Sequence, residues 1–257
     1  MKEVILEELA ELDYKTVEAY RTLRTNLRFT GDDVKTVLFT SAMPNEGKST
    51  VVFNLARSLN DSGNKVLVID SDMRKSVLMG RYGARDAKGG DLYGLSHYLS
   101  GQVDLNEALY WNEQMPNVGF IFSGTSVLNA TELLEKKYFK KLVEAARDKF
   151  EYVLIDCAPL GAVIDAAVIA PLCDGAVIVT GQKDATSRMV VNVKKQLETA
   201  EIPILGVVMN KVRMNRGGRY GKYYSQYYNK YYSDERDEKS GKSGKSGKKR
   251  KREADEE

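Results

Sequence analysis

Five short runs of aliphatic and β-branched residues constrain this chain more than any other feature: Val66–Asp70, Val118–Phe122, Tyr152–Asp156, Ala176–Thr180 and Ile204–Met209. None alternates apolar with polar positions, as a strand with one wet face would, so each reads as a strand buried on both faces. Thr36–Thr40 is read as the first strand. Helical patterns separate the runs, at Lys48 to about Leu59, Thr131–Lys149 and Ser187–Glu201. Strands that alternate with helices define an α/β fold, a doubly wound, mostly parallel sheet with helices on both faces. A further helix, Thr16–Phe29, carries Val17, Tyr20, Leu23 and Leu27 at helical spacing. It precedes Thr36 and is read as lying outside the βα core.

The 257 residues, 42% of them hydrophobic, suffice for one such domain and ends that need not fold. After Met209 the composition changes. Residues 213–233 are rich in Arg, Gly and Tyr and hold no Val, Ile, Leu or Phe; beyond them lie three SGK triplets, KKRKR and EADEE. Low hydrophobicity with dense charge predicts disorder from about residue 215. The expected organisation is a helical segment over 1–33, a domain over 34–214, a tyrosine-rich tail over 215–233 and a charged tail over 234–257. Two cysteines, Cys157 and Cys173, and one histidine, His97, argue against a disulfide framework or a structural zinc site and are read as packing residues. The acidic N-terminus does not read as a signal peptide. The most apolar stretch, Ala162–Thr180, is interrupted by Asp165, Pro171 and Asp174 and cannot supply the roughly 20 apolar residues of a membrane span. A cytoplasmic protein is expected.

Between the first strand and its helix stand Ala42, Met43, Pro44, Asn45, Glu46, Gly47, Lys48, Ser49 and Thr50. This is the P-loop pattern, with Ala42 in place of the first glycine. Backbone N–H groups of such a loop surround phosphate oxygens and the helix dipole adds attraction. Lys48 supplies charge to the β- and γ-phosphates, and the Ser49 hydroxyl can ligate Mg²⁺. Two apolar runs end on acids: Asp70 and Asp72, followed by Arg74, and Asp156. In an open α/β sheet the carboxyl ends of the strands share one crevice, so these acids are expected near Lys48. The plainer reading of each is a cap on a following helix.

The segments Ala42–Thr50, Val66–Arg74 and Val153–Pro159 resemble the Walker A, A′ and B motifs of the bacterial tyrosine kinases, P-loop kinases associated with capsule and exopolysaccharide synthesis. Glu18, Arg21 and Arg24 match that family's Glu-x-x-Arg-x-x-Arg oligomerisation motif; read alone they are a solvated face with a local ion pair. The tyrosine-rich tail is a fifth point of likeness. Departures are Ala130-Thr131-Glu132-Leu133, where the family carries Asn-Pro-x-Glu-Leu, and the single proline after Asp156.

The resemblance implies ATP and Mg²⁺ as ligands. Lys48 would hold phosphates; Ser49, Asp72 and Asp156 would organise Mg²⁺; Asp70 would accept or orient the tyrosine proton, with the two A′ acids interchangeable. Arg74 either balances transition-state charge or pairs with a neighbouring acid. Tyr220, Tyr223, Tyr224, Tyr227, Tyr228, Tyr231 and Tyr232 are the expected phosphoacceptors, seven of the chain's 15 tyrosines. An RNA-stacking surface is the competing reading of that cluster, without other support, and no nucleic-acid partner is expected. Implied partners are further copies of the chain in a ring, a membrane-anchored activator of polysaccharide export, other tyrosine substrates and a cognate phosphatase. Such an enzyme would sit at the inner face of the membrane through its partner. The rival is an ATPase switch of the septum-site or partition type, which usually carries a second lysine at the position of Met43.

Overall fold

In a computed structural model, residues 1–212 are described. The strands are β1 (Lys2–Leu6), β2 (Thr36–Ser41), β3 (Val66–Asp70), β4 (Ala84–Asp86), β5 (Tyr110–Asn112), β6 (Met115–Ile121), β7 (Tyr152–Asp156), β8 (Gly175–Gly181) and β9 (Ile204–Asn210). They form one sheet in the order β4-β1-β5-β6-β3-β7-β2-β8-β9. From β6 to β9 every pairing is parallel, and β5 joins β6 antiparallel.

The helices are α1 (Tyr14–Arg28), α2 (Lys48–Asn60), α3 (Leu78–Arg81), α4 (Leu95–Leu99), α5 (Leu105–Ala108), α6 (Ala130–Leu134), α7 (Lys137–Lys149), α8 (Asp165–Ile169) and α9 (Ser187–Thr199). Two separate cores explain the unalternated strands. Val66 and Val68 of β3 pack with Val52, Phe53 and Leu27 from the α1 and α2 side. Leu67 and Ile69 of the same strand pack with Phe139, Leu142, Val193 and Leu197 from α7 and α9. The sheet is thus covered on both faces, as the runs required. No helix of the described residues is long and apolar enough to cross a membrane. Cys157 is buried and Cys173 half-buried, both as free thiols, and the His97 ring accepts the Gly94 N–H at 3.0 Å.

Two readings of the sequence need correction. The segment over 1–33 is not only helical, and Thr36 does not begin the first strand. β1 pairs with β5 and β4, with Val4 and Leu6 buried. Second, Thr131–Lys149 is not one helix: it breaks at Lys136, whose backbone is extended (φ −64°, ψ 146°). The buried positions explain the break. Ala130, Leu133 and Leu134 are followed by Phe139, Leu142, Val143 and Ala146. The five-residue step from Leu134 to Phe139 cannot stay on one face of a 3.6-residue helix.

Helix α1 uses its polar groups at home. Asp13 caps it by accepting the Lys15 and Thr16 N–H groups. Glu18 pairs with Arg21 at 2.5 Å, and the Arg21 side chain stays 56% exposed. Arg24 instead donates from Nη1 to the Ser58 carbonyl at 2.5 Å, tying α1 to α2. A charged donor on a half-buried carbonyl contributes more than a surface pair. Arg24→Ala is therefore expected to cost about 1–2 kcal/mol and Arg21→Ala less than about 0.5 kcal/mol, measured by urea unfolding of the two variants.

Candidate nucleotide-binding site

The loop between β2 and α2 turns back on itself through two residues in the left-handed region, Asn45 (φ 64°) and Gly47 (φ 89°). Asparagine tolerates that conformation and glycine adopts it freely. At Gly47 space also demands glycine: a Cβ would lie 2.1 Å from Asn210 Nδ2. The loop is held from beneath by Glu46, which is fully buried. Its carboxylate accepts from the Met43 N–H at 2.6 Å, the Thr180 hydroxyl at 2.9 Å and the Gly181 N–H at 3.1 Å. Its carbonyl accepts from Asn210 Nδ2 at 3.0 Å. Glu46 belongs to the loop whose backbone is expected to hold phosphate, and its side chain points into the protein. A carboxylate facing phosphates would repel them, and these donors hold it away.

Lys48 opens α2 and is only 7% exposed. The register of three strands sets the acids beside it. Phe39 of β2 aligns with Asp156 of β7, and Asp156 aligns with Asp70 of β3. Burial pushes the Asp156 carboxyl up to about 6, and the neighbouring Lys48 charge and Ser49 hydroxyl pull it partly back. Asp156 Oδ1 is buried with no hydrogen-bond partner among the described residues. Asp70 is raised well above the usual carboxylate range by burial and by the charge of Asp156. Its oxygens accept from the Ser76 hydroxyl and, at 3.2 Å, from the Asp72 N–H. Asp72, half-buried, accepts from the N–H groups of Arg74 and Lys75 at 3.3 and 3.0 Å.

Arg74 takes the second of its two expected roles. It forms a two-pronged ion pair with buried Asp165, Nε at 2.8 Å and Nη2 at 3.1 Å, and also donates to Thr131 Oγ1 and the Leu128 carbonyl. Asp165 was visible in the sequence only as an interruption of an apolar stretch. A buried acid needs a partner, and that rule is the signal that could have found this pair. Arg81, Ser76 and Asn210 were also missed, because no motif spacing marks them. Arg81 reaches across from α3 and donates from Nη1 to the Thr50 hydroxyl. The seven tail tyrosines, Tyr220 to Tyr232, lie outside the described residues.

Among the described residues no group of three or more acids, histidines or cysteines could hold a metal alone. The donor set still fits Mg²⁺, which binds through one or two carboxylates and keeps several waters. A buried, unpartnered carboxylate oxygen beside a serine hydroxyl at a phosphate loop is such a set.

A mostly parallel sheet, a left-handed loop on a helix N-terminus and a lysine at the first helical turn define a P-loop nucleotide-binding protein. An AAA-domain family matches residues 38–202. Tyrosine-protein kinase CpsD of Streptococcus pneumoniae is 38% identical over 219 residues, 84% of this chain and 94% of the relative. The kinase domain of the Escherichia coli tyrosine kinase ETK superposes with a TM-score of 0.70 at 31% identity, covering 76% of this chain and 75% of that one. The septum site-determining protein MinD of Pyrococcus horikoshii, solved with Mg-ADP, gives a TM-score of 0.57 at 24% identity over 72% of this chain and 71% of its own, a likeness of fold alone. The chain belongs to the bacterial tyrosine-protein kinase family.

The buried acids make stability depend on pH. Asp156 titrates near its ordinary value, 3.8, when unfolded and near 6 when folded. Its ionisation therefore opposes folding: the penalty is absent below about 4, grows between about 4 and 6, and is complete above. Asp156→Asn, neutral throughout, is expected to stabilise the ligand-free protein at pH 7.5 by up to roughly 3 kcal/mol. At pH 4 the gain should shrink toward zero. Denaturant unfolding of both proteins at the two pH values checks this; equal gains at both would show that ionisation plays no part.

Proposed function

We propose that this chain is an ATP-dependent protein-tyrosine kinase that phosphorylates the tyrosines of its own C-terminal segment and regulates capsular or exopolysaccharide synthesis. The observation that carries the reading is the register that sets Asp70 and Asp156 side by side at the strand ends next to Lys48. The kinases named among its relatives support the activity.

Phosphoryl transfer is mainly positioning and charge stabilisation. Backbone N–H groups from Asn45 to Thr50 and the Lys48 ammonium hold the phosphates; Pro44 has no N–H, and that of Met43 is taken by Glu46. Ser49, Asp156 and Asp72 would hold Mg²⁺. A cation held there would supply charge neutralisation for the transferring phosphates. The phenolic oxygen of a tyrosine bonds to the γ-phosphorus as the bond to the departing ADP breaks. Asp70 takes or orients the phenol proton: its raised affinity for protons makes its carboxylate a stronger base than an ordinary one. Ser76 and the Asp72 N–H fix that carboxylate's orientation.

The acceptors proposed are Tyr220, Tyr223, Tyr224, Tyr227, Tyr228, Tyr231 and Tyr232. Exposed Arg21 and its partner Glu18 are offered to an adjacent subunit of a ring, while Arg24 serves α1 itself. A membrane-anchored activator, other tyrosine substrates and a cognate phosphatase complete the proposed partners. They would place the enzyme at the inner face of the membrane. Phosphates accumulating on the tail, each adding about −1.5 to −2 charges, would loosen the ring by repulsion.

Lys48→Met is expected to abolish phosphotyrosine formation from γ-labelled ATP while leaving circular dichroism unchanged. Undiminished labelling would refute the P-loop assignment. Asp70→Asn and Asp72→Asn should each slow single-turnover transfer by two to four powers of ten, about 3–5 kcal/mol in barrier. In the parent, the rate should also rise with pH along a limb displaced above the ordinary carboxylate range of about 4, a limb absent from Asp70→Asn. Transfer between subunits is tested by mixing a Lys48→Met chain with an active chain lacking residues 215–257. Label on the inactive chain's tyrosines is the expected outcome, and its absence would restrict transfer to within one chain.

A further inference from the structure

Two guanidinium groups follow β3 toward the phosphate loop, and they are used differently. Arg74 has each of its nitrogens engaged, on Asp165, Thr131 and the Leu128 carbonyl. Its charge is matched by Asp165 and its position is fixed. Arg81 makes no ion pair among the described residues; its hydrogen-bond partner is the neutral hydroxyl of Thr50. A hydroxyl satisfies one of five donors and none of the charge, whereas phosphate oxygens would satisfy both.

The backbone beneath Arg81 is firmly seated. Leu78 of α3 is buried, and Tyr82, the residue after Arg81, stacks on Phe53 of α2 with ring centroids 3.7 Å apart and planes 17° from parallel. Tyr82 thus ties the end of α3 to the helix that begins at the phosphate loop. Arg81 itself is exposed. The result is a long cationic side chain on a rigid base, resting on the third residue of α2. The first N–H groups of a helix lack intrahelical partners and face a bound anion.

We propose that Arg81 is a nucleotide-binding residue, its guanidinium passing from the Thr50 hydroxyl to oxygens of the bound polyphosphate. The inference rests on the reading of Ala42–Thr50 as the phosphate loop. Arg81 thus acts as a clamp supplied by the same chain, and Arg74, the arginine that the motif spacing singles out, braces the fold. A contact made to the ground-state phosphates, ADP included, affects binding of nucleotide more than the rate of its turnover.

The test is titration of full-length protein with MgADP, together with steady-state phosphorylation at varied MgATP. Arg81→Ala should weaken MgADP binding roughly 10-fold or more, as loss of a charge-assisted hydrogen bond does. KM for MgATP should rise in parallel while kcat stays within about three-fold. Arg81→Lys, which keeps the charge without the fork, should recover part of the affinity and serves as the measurable variant should the alanine fail to fold. Raising salt should weaken MgADP binding to the parent more steeply than to Arg81→Ala, because a phosphate contact is screened and a packing role is not. Lys48→Met separates the clamp from the phosphate loop. If the parent binds MgADP, Lys48→Met does not, and the Arg81 variants match the parent within two-fold, the clamp is wrong and the phosphate loop stands. If the parent itself does not bind MgADP, both fall.

Discussion

The parallel insertion of β7 between β2 and β3 is the arrangement on which the site depends. Its register sets Asp156 against Phe39 on one side and Asp70 on the other, so both acids end their strands where β2 gives way to the phosphate loop. The Ser71 N–H and hydroxyl both donate to the Asp156 carbonyl at 2.8 Å, extending the alignment one residue past β3. A shift by one residue would turn these side chains to the opposite face of the sheet. The apolar alternation that sends Leu154 to one core and Val153 and Ile155 to the other opposes such a shift. Packing of hydrocarbon thus fixes the placement of charge.

That placement works against folding. Asp70 and Asp156 lie side by side with almost no exposure, and burial raises the proton affinity of each. Lys48 and Ser49 offset part of the strain at Asp156, and Ser76 part of it at Asp70. The remainder is what a cation could relieve, so the arrangement that weakens the ligand-free fold would favour the Mg²⁺ proposed to bind there. Glu46 shows the opposite solution. It is as deeply buried, but three donors meet its carboxylate, and it serves as a brace that joins the loop to β8.

Charged residues with similar sequence signatures end in different work. In the motif on α1, Arg24 goes to the Ser58 carbonyl of its own chain, while Arg21 stays at the surface. After β3, Arg74 closes on Asp165 and Thr131, joining the A′ loop to α6 and α8, while Arg81 reaches Thr50. The Thr131 hydroxyl also donates to Asp165 at 2.6 Å, so the segment that departs from the family pattern at Ala130–Leu133 is part of the support for Arg74.

What the sequence determined by itself was whatever local chemistry dictates. Unalternated apolar runs can be satisfied only by strands covered on both faces, and Lys48 and Ser49 after Gly47, between a strand and a helix, form a phosphate loop in whatever sheet they occupy. The strand-end acids followed from the same logic, because parallel strands gather their carboxyl ends. Tertiary structure decided what depends on partners distant in the chain. The strand at Lys2–Leu6 exists because β4 and β5 receive it, and the break at Lys136 exists because Leu134 and Phe139 must reach one core. Glu46 points inward because Thr180 and Gly181 meet its carboxylate. Among the described residues, Arg74 is bound and Arg81 is left without an acid because Asp165, 91 residues beyond Arg74, folds back to the first and not to the second. Spacing along the chain carries no record of such encounters, since each is set by which surfaces the cores bring together.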